Sequence, residues 1–495
     1  MTTAVSPQSA SAQAVVLPKN RGAYYGGGWH EPKSGRFLDT ISPGTGLSLG
    51  KVADAGSEDI DAAVAAAKSA FKEWRRVLPL ERAKILRRIA EILRQNANEL
   101  AMIDAADCGN PVKEMVSDAM VAAAQMEFFA GFVTEMKGSS IPMGPDALNF
   151  TVREPYGVVG RIIPFNHPFM FAAGKSAAPL AAGKTVVIKP PEQAPLSSLR
   201  LAELIDGVLP PGVWNLVPGG KEVGQALASH PDVAKIALIG SVPTGRAVMR
   251  AASDTLKPVI LELGGKNALI AYPDADPDQV AAGAIAGMNF TWCGQSCGST
   301  SRAFIHESIY DAVVAGMKKH VQRFRPGIPT DPATTMGAIV SKVQFDRIMG
   351  FIDAAKQEGA PLICGGGRPA DPRLAKGLFI EPTIFAVTAN NRIAREEIFG
   401  PVLSVFRWTD EADMLATVNA VEYGLTCSIW TNDVKTAHRA AAEVQAGFVW
   451  INEVSKHFLG APFGGYKQSG IGREECIDEL LAFTQEKNIH LSLRR

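Results

Sequence analysis

Cysteine is scarce in this chain of 495 residues, and charge of neither sign is in excess. Six cysteines are too few to stabilise a chain of this length through disulfide bonds, so a disulfide-rich scaffold is excluded. Cys293 and Cys297 have no second Cys or His pair at ligand spacing, and we expect no metal site. Lys plus Arg and Asp plus Glu each number 50, which argues against nucleic acid or an anionic membrane as a partner.

Long apolar runs are missing as well. No stretch of about 18 apolar residues occurs, so we expect no membrane span. Residues 1–20 lack the charged start and apolar centre of a signal peptide and are predicted to be a disordered tail. These absences predict a soluble, cytoplasmic protein with free thiols. The hydrophobic content of 46% is that of an ordinary globular protein with room for two or three domains.

The periodicity of apolar residues divides the chain into two kinds of segment. Helices are predicted over residues 57–75, 80–108 and 113–135, the second ending at Gly109. Strands and helices then alternate from residue 149 to 263, which predicts a parallel sheet of βαβ units. Residues 303–452 repeat this alternation and predict a second α/β domain. The C-terminal residues alternate like an edge strand, whose partner we expect in another subunit.

Three segments carry side chains suited to chemistry. Cys297 lies in a Gly- and Ser-rich turn, where backbone N–H groups can activate a thiol, although a structural role is commoner for a single cysteine. Glu262 ends a buried strand, where an apolar setting raises the pKa of a carboxyl and suits a general base; an exposed turn residue is the alternative. Asn166 is held between two prolines, and its amide can donate to an oxyanion or simply stabilise a turn.

A nucleotide site is indicated by weaker signals. Strand 234–239 ends in Gly240 and Ser241 before a helix, an arrangement that suits a pyrophosphate. Lys189 ends the strand at 185–189, and Glu192 follows it. An acid at that place can take ribose hydroxyls, which favours NAD over NADP and leaves NADP open. The loops at 396–401 and 462–474 have no evident packing role.

From about residue 21 onward the chain resembles the NAD(P)-dependent aldehyde dehydrogenase superfamily, because seven short motifs occur in the order that is typical of that family. They are Pro164-Phe-Asn166, Lys189-Pro-x-Glu192, Gly240-Ser241, Glu262-Leu-Gly-Gly-Lys266, Gly294-Gln-x-Cys297, Glu396-Glu-Ile-Phe-Gly-Pro401 and Pro462-Phe-Gly-Gly-x-Lys-x-Ser-Gly470. The resemblance implies an α/β fold with two parallel-sheet, Rossmann-like domains and a β-hairpin oligomerisation element. The NAD-binding domain would comprise residues 21–136 and 158–264, the oligomerisation element 137–157 and 482–495, and the catalytic domain 265–481.

The resemblance also implies roles for single residues. Cys297 would attack an aldehyde, Asn166 and the Cys297 N–H would hold the oxyanion, and Glu262 would activate the water that hydrolyses the thioester. Lys175 and Glu474 would relay protons to Glu262 or support it. The expected cofactor contacts are Ile163, Pro164, Phe165, Lys189, Glu192, Gly240, Ser241, Leu263, Gly264, Glu397 and Phe399. The expected substrate tunnel is lined by His167, Phe171, Gly174, Trp292, Ser296, His457 and Phe458.

The sequence departs from the family pattern at a few positions. Phe165 and Ile239 stand where Trp and Thr are usual, and Gly174 stands where a large aromatic residue is frequent. Losing that aromatic residue should widen the tunnel, which predicts a bulky, aromatic aldehyde as substrate.

Two other functions remain as alternatives. One is a CoA-acylating relative, against which Glu262 argues. The other is a non-catalytic scaffold, against which the presence of Cys297, Glu262 and Asn166 together argues. The resemblance further implies a homodimer or homotetramer.

Overall fold

The computed structural model describes residues 15–494. Most of the predicted disordered tail therefore lies outside the described residues. The prediction is wrong for residues 15–20, since Val15 and Leu17 pack against the hydrophobic core and the Asn20 N–H donates to Glu203 Oε1 at 2.7 Å.

The helices follow the predicted periodicity closely, with one exception. The predicted helix 80–108 is two helices, because Asn96 leaves the helical conformation and its Nδ2 donates to the Ile92 carbonyl. Gly109, with φ +91°, follows the second of them as predicted. The helices are α1 Ser57–Trp74, α2 Pro79–Gln95, α3 Ala97–Asp107, α4 Val112–Gly131, α5 Pro168–Ala181, α6 Leu196–Ile205, α7 Lys221–Ser229, α8 Val242–Ser253, α9 Pro277–Gly287, α10 Glu307–His320, α11 Lys342–Gln357, α12 Glu411–Asn419, α13 Val434–Glu443 and α14 Ile477–Ala482.

The strands include several that were not predicted from the sequence, among them the first four and those at 268–271, 362–364 and 383–386. They are β1 Ala23–Tyr25, β2 Gly28–His30, β3 Phe37–Ile41, β4 Ser48–Ala53, β5 Ser140–Ile141, β6 Ala147–Glu154, β7 Val158–Ile162, β8 Thr185–Lys189, β9 Trp214–Leu216, β10 Val233–Ile239, β11 Val259–Glu262, β12 Ala268–Ala271, β13 Arg302–His306, β14 Leu362–Cys364, β15 Thr383–Ala386, β16 Val402–Trp408, β17 Tyr423–Gly424, β18 Thr426–Trp430, β19 Phe448–Ile451, β20 Tyr466–Lys467, β21 Gly470–Ile471 and β22 Gln485–Ser492.

The first sheet has the order β2-β1-β9-β8-β7-β10-β11-β21. Its five central strands are parallel, and the outer strands β1, β2 and β21 run antiparallel to their neighbours. One face packs against α2 to α6 through residues such as Phe129 and Phe169, and the other against α1, α7 and α8. Helices on both faces are the arrangement expected of a parallel sheet.

The second sheet has the order β14-β15-β16-β13-β12-β18-β19 and is parallel apart from β14. Helices α9 and α10 cover one face, and α12 and α13 cover the other. The two predicted parallel-sheet α/β units are therefore present.

The C-terminal strand pairs within its own chain, contrary to the expected partner in another subunit. β22 runs antiparallel to β6 from Gln485↔Glu154 to Ser492↔Ala147, and β5 adds to the other edge of β6. β5, β6 and β22 thus form one three-stranded sheet within the two segments, 137–157 and 482–495, that the resemblance assigns to an oligomerisation element; that role stays a prediction.

The segment after residue 469 returns to the first sheet. β21 pairs with β11 through Gly470↔Glu262. On the central strand β7, Arg161 Nη1 lies 2.8 Å from Glu474 Oε1, and its Nη2 lies 3.1 Å from Glu479 Oε1 on α14. This late segment therefore closes the edge of the sheet beside Glu262.

Among residues 15–494, no helix combines the length and the apolar character that a membrane crossing needs.

Replacing Arg161 by Ala tests how strongly this segment is held. The change leaves Glu474 and Glu479 buried without that cation, and we expect it to lower the free energy of unfolding by about 3–5 kcal/mol, measured by urea unfolding. Arg94→Ala, which removes the exposed pair with Glu127, is the control and should cost less than about 1 kcal/mol. Equal urea midpoints for the two variants would contradict the prediction.

Candidate active site

The site lies where the chain passes from one sheet to the other. β11 ends at Glu262 in the first sheet, and β12 begins at Ala268 in the second. The Gly264-Gly265 pair between them comes close to another loop, because a Cβ on Gly264 would overlap the Glu397 carboxylate. The crossing therefore places Glu262 at the carboxyl end of a parallel strand, where ligands of such sheets bind.

Cys297 occupies a tight turn between α9 and β13. The segment between these two elements has three residues in the left-handed region, Asn289 with φ 56°, Cys293 with φ 55° and Gly294 with φ +66°. Asn267, from the crossing, fixes the turn: its Nδ2 donates to the Cys297 carbonyl at 2.7 Å and to the Ser299 carbonyl at 3.0 Å. The position of Cys297 is thus tied to the segment that carries Glu262.

Asn166 lies in the loop that leads from β7 into α5, and 6% of its surface is exposed. Its carbonyl accepts from Asn110 Nδ2 at 2.7 Å, while its own Oδ1 has no partner among the described residues. The next residue, His167, is held by Asp118 at 2.8 Å and stacks edge-on against Trp292. This stacking joins the Asn166 loop to the turn before Cys297.

The surroundings of Cys297 favour the neutral thiol. Burial raises its pKa to about 12, and the charges of Glu262, Glu397 and Glu475 act in the same direction. Its own backbone N–H opposes them. In this state of the protein, Cys297 is therefore a protonated thiol at neutral pH.

Glu262 is 5% exposed and its Oε1 has no hydrogen-bond partner among the described residues. Burial raises the pKa of this carboxyl well above its usual value, and the charge of Glu474 raises it further. Lys175 opposes the shift. A carboxyl with a raised pKa, close enough to influence the ionisation of Cys297, is suited to act as a general base.

Lys175 and Glu474, predicted as relay or supporting residues, meet directly. Lys175 Nζ lies 2.8 Å from Glu474 Oε2, and Arg161 contacts the other oxygen of the same carboxylate. Burial disfavours ionisation of Glu474, but Lys175 and Arg161 outweigh it and lower the pKa of Glu474 to about 2. The pKa of Glu479 is raised to about 7 by burial and by Glu474.

Glu475 belongs to the site and was missed by the sequence reading. Its Oε1 lies 3.7 Å from Lys175 Nζ and its Oε2 lies 3.1 Å from His457 Nδ1. Burial opposes its ionisation, but Lys175 and His457 lower its pKa. Its backbone has φ 65°, an unusual conformation for a non-glycine residue. Nothing in the local pattern distinguishes it from the preceding Glu474.

The predicted residues for the nucleotide lie around the ends of β8 and β10. Lys189 Nζ makes no hydrogen bond to the described residues. Burial lowers the pKa of Lys189, and the charges of Glu192 and Asp54 oppose this shift in part. Ser241 caps α8, with its Oγ accepting from the Thr244 N–H. Gly245 lets α8 pack closely, since a Cβ there would stand 2.6 Å from Leu263 Cδ1. A helix N-terminus, a lysine without a hydrogen bond among the described residues and a nearby carboxylate fit a dinucleotide.

The predicted residues for the nicotinamide side are also adjacent. Glu397 Oε1 accepts from the Gly265 N–H at 3.0 Å, and the Arg347 guanidinium binds the carbonyls of Glu397 and Ile398. The rings of Phe165 and Phe399 meet edge-on at 5.7 Å. Ile163, next to Pro164, is hydrogen-bonded through its N–H to the Lys189 carbonyl. The hydrogen bond of Ile163 thus links the end of β8 to the start of the loop that carries Phe165.

The predicted widening at Gly174 is wrong. A Cβ on Gly174 would run into Gln125 Oε1, so the side chain of Gln125 already fills the space beside it. Phe171, Trp292 and Ser296 are half-buried. His457 and Phe458 lie on an exposed loop, with 42% of the His457 side chain accessible.

Comparison with known proteins identifies the family. A sequence profile described as the aldehyde dehydrogenase family matches residues 29–489. A curated relative, the aldehyde dehydrogenase tropH of Talaromyces stipitatus, is 52% identical over 487 residues, covering 97% of this chain and 94% of that protein. The chain belongs to the aldehyde dehydrogenase family. The predicted enzyme class, an NAD(P)-dependent oxidoreductase acting on aldehydes, is confirmed with it.

Solved structures share the fold. The NAD+ complex of an aldehyde dehydrogenase from Bacillus cereus is 38% identical, with a TM-score of 0.93 over 96% of this chain and 97% of that one. The indole-3-acetaldehyde dehydrogenase AldA of P. syringae, solved as a cysteine mutant with NAD+ and IAA, is 35% identical, with a TM-score of 0.94 over 97% and 98%.

The raised pKa of Cys297 predicts slow alkylation. In the cofactor-free protein, the rate of reaction with iodoacetamide should be low at pH 7 and rise without a plateau up to about pH 10, because only the thiolate reacts. Mass spectrometry of the peptide that contains Cys297 measures the rate, and Cys297→Ala gives the background from other thiols. A plateau below pH 8 would contradict the assigned pKa.

Proposed function

We propose that this protein oxidises an aldehyde to a carboxylic acid with NAD, through a thioester on Cys297 that Glu262 helps to hydrolyse. The observation that carries the proposal is a half-buried thiol within the electrostatic reach of a buried carboxyl whose pKa is raised and whose Oε1 has no hydrogen-bond partner among the described residues. Asn166, held through its carbonyl with its side chain free, completes the set.

The first half of the reaction forms a bond to sulfur. Cys297 loses its proton to solvent water, and Sγ adds to the aldehyde carbon, which converts the carbonyl oxygen to an oxyanion. The Asn166 amide and the Cys297 N–H donate to this oxyanion. NAD, when bound, supplies the hydride acceptor. Loss of hydride with its electron pair from the aldehyde carbon leaves a thioester on Cys297.

The second half releases the acid. Glu262 takes a proton from water, whose oxygen attacks the thioester carbon. The carbon–sulfur bond then breaks and the carboxylic acid leaves, which restores Cys297. The ion pair of Glu474 and Lys175 sets the electrostatic surroundings of Glu262. The proton that Glu262 has received must pass to solvent before the next turnover.

NAD is the proposed cofactor because Glu192 follows β8 together with Lys189. A carboxylate there accepts from ribose hydroxyls and repels a 2′-phosphate. The Bacillus cereus relative and the AldA structure both contain NAD+. NADP stays open as a poorer cofactor.

A bulky or aromatic aldehyde is the proposed substrate. Three of the predicted tunnel residues support this proposal, because His167 stacks edge-on against both Phe171 and Trp292, with ring centroids 5.8 Å apart for His167 and Phe171. AldA, a structural neighbour, is named for an aromatic aldehyde. The CoA-acylating alternative is disfavoured because Glu262 has no role in acyl transfer to CoA. The non-catalytic scaffold is disfavoured because it does not need Cys297, Glu262 and Asn166 together.

The oligomeric state is proposed to be a dimer or tetramer formed through the β5–β6–β22 sheet. This sheet carries apolar side chains that the single chain leaves exposed, among them Ile141, Met143, Leu148 and Leu491. The domain boundaries and the cytoplasmic location stay predictions from the sequence.

Glu262→Gln separates the two halves of the reaction. With excess NAD and benzaldehyde it should give a burst of about one NADH per active site and then turn over at least about 100-fold more slowly than wild type, because the thioester persists. Stopped-flow absorbance at 340 nm measures both phases, and Cys297→Ala should give neither. Steady turnover at the wild-type rate would refute the role of Glu262, and NADH from Cys297→Ala would refute the thiol mechanism.

The pH dependence of hydrolysis should follow the ionisation of Glu262. The rate rises with pH because the base acts only when deprotonated. Glu474→Gln removes a neighbouring negative charge, lowers the pKa of Glu262 and should shift the profile to lower pH by about one unit. Lys175→Met removes a positive charge and should shift it the other way. The pH profile of thioester breakdown is measured for both variants. If both profiles shift in the same direction, or neither shifts, then Glu474 and Lys175 do not control the ionisation of Glu262.

A further inference from the structure

The loop of residues 397–400, which carries the proposed nicotinamide contacts, has a bent backbone. Phe399 in this loop has φ 55°, in the left-handed region that is unfavourable for a residue with a Cβ. Such a conformation persists only where the surrounding structure holds it, and it occurs preferentially at binding sites. The contacts that hold the 397–400 loop therefore bear on the proposed cofactor site.

Helix α11 supports the loop from one side. Ile348 on this helix is fully buried and packs against Gly400, where a Cβ would stand 2.6 Å from Ile348 Cδ1. The preceding residue, Arg347, donates from Nη1 to the Ile398 carbonyl and from Nη2 to the Glu397 carbonyl. One face of α11 thus fixes the loop by an apolar contact and by two hydrogen bonds from a single guanidinium.

The two carbonyls depend on Arg347 alone. Among residues 15–494, no other donor makes a hydrogen bond to the carbonyl of Glu397 or of Ile398. The ring of Phe351, one turn further along α11, lies under the guanidinium, with 5.1 Å between Arg347 Cζ and the ring centroid. Arg347 itself is exposed, so the packing of the core does not require its charged group.

The loop contacts both segments that carry the reacting groups. Glu397 Oε1 accepts from the N–H of Gly265, in the crossing that follows β11. At the other end of the loop, the Gly400 carbonyl packs against Gly294 in the turn that bears Cys297, since a Cβ on Gly294 would stand 2.3 Å from that oxygen. A displaced loop would therefore change the position of the Glu397 carboxylate relative to the Cys297 turn.

We propose that Arg347 is a positioning residue for NAD: its two hydrogen bonds hold the 397–400 loop in the conformation that presents Glu397 and Phe399 to the nicotinamide half of the cofactor. This inference rests on the proposed function and adds a residue that acts through the backbone, without touching the cofactor.

The chemistry of the guanidinium explains why an arginine suits this place. Its planar fork donates in fixed directions and serves two neighbouring carbonyls at once, whereas a lysine ammonium is a point charge. Hydrogen bonds from a charged donor are stronger than those between neutral groups. They offset the strain at Phe399 before NAD binds, so that binding does not have to order the loop.

The test compares the whole cofactor with its adenine half. Isothermal titration calorimetry measures the Kd of NAD and of ADP, which lacks the nicotinamide half. NAD should bind about tenfold more weakly to Arg347→Met than to wild type, because two charge-assisted hydrogen bonds are lost, whereas the Kd of ADP should change by less than about twofold. Arg347→Lys should weaken NAD binding by about threefold. Lys342→Met, which removes an exposed cation that pairs with Asp346 on the same helix, is the control and should bind both ligands like wild type.

A double-mutant cycle with Phe399→Gly tests whether Arg347 acts through the strained loop. Glycine adopts the left-handed conformation without steric cost, and the variant has no ring to present to the cofactor. In this background, Arg347→Met should therefore weaken NAD binding by less than about threefold. A tenfold loss in both backgrounds would mean that Arg347 contacts the cofactor directly, and would overturn the proposal.

The binding measurements also separate a structural role from a positioning role. An equal loss of affinity for NAD and ADP would indicate that Arg347 only supports the fold, and an unchanged Kd of NAD would show that the loop does not need it; either result overturns the proposal. If Arg347→Met does not fold, the values for Arg347→Lys decide. If wild type binds NAD but forms no NADH with any aldehyde, the proposed function fails, while the binding comparison still decides the role of Arg347.

Discussion

The site depends on a buried imbalance of charge. Arg161 and Lys175 face Glu474, Glu475 and Glu479 with little access to water, and Glu262 lies within the field of the same group. Two cations cannot neutralise all of these carboxylates. Glu474 and Glu475 are held ionised by direct contacts, whereas burial, reinforced by the charge of Glu474, raises the pKa values of Glu262 and Glu479 and favours their protonated forms. A carboxyl that holds its proton more tightly than an exposed glutamate follows from this arrangement.

The same cluster joins distant parts of the chain. Arg161 lies on the central strand of the first sheet, Lys175 on the helix after the Asn166 loop, and Glu474 in the segment that adds β21 beside β11. The crossing at 263–267 then places Cys297 beside Glu262 through the hydrogen bonds of Asn267. Loss of one contact in this set therefore affects both the stability of the sheet edge and the protonation of the proposed base.

Prediction from the sequence succeeded where a local pattern carries the information. Helical periodicity identified α1 and α4 and nearly identified α2 and α3, whose division at Asn96 involves one residue and a local hydrogen bond. It missed β12, because ALIA is a short apolar run with no alternation. The effect expected at Gly174 was wrong, because the space left by a missing side chain is filled by Gln125 from a different helix.

The sequence by itself determined the family, the two α/β units and the identities of Cys297, Glu262 and Asn166, since each of these is written in short ordered motifs. The tertiary structure alone decided the partners of these residues. Glu475 was invisible because its significance lies in contacts with Lys175 and His457, far away in the chain. The pairing of β22 with β6 within one chain was equally hidden. Both depend on which surfaces meet after folding, and burial and charge act through space and not along the sequence.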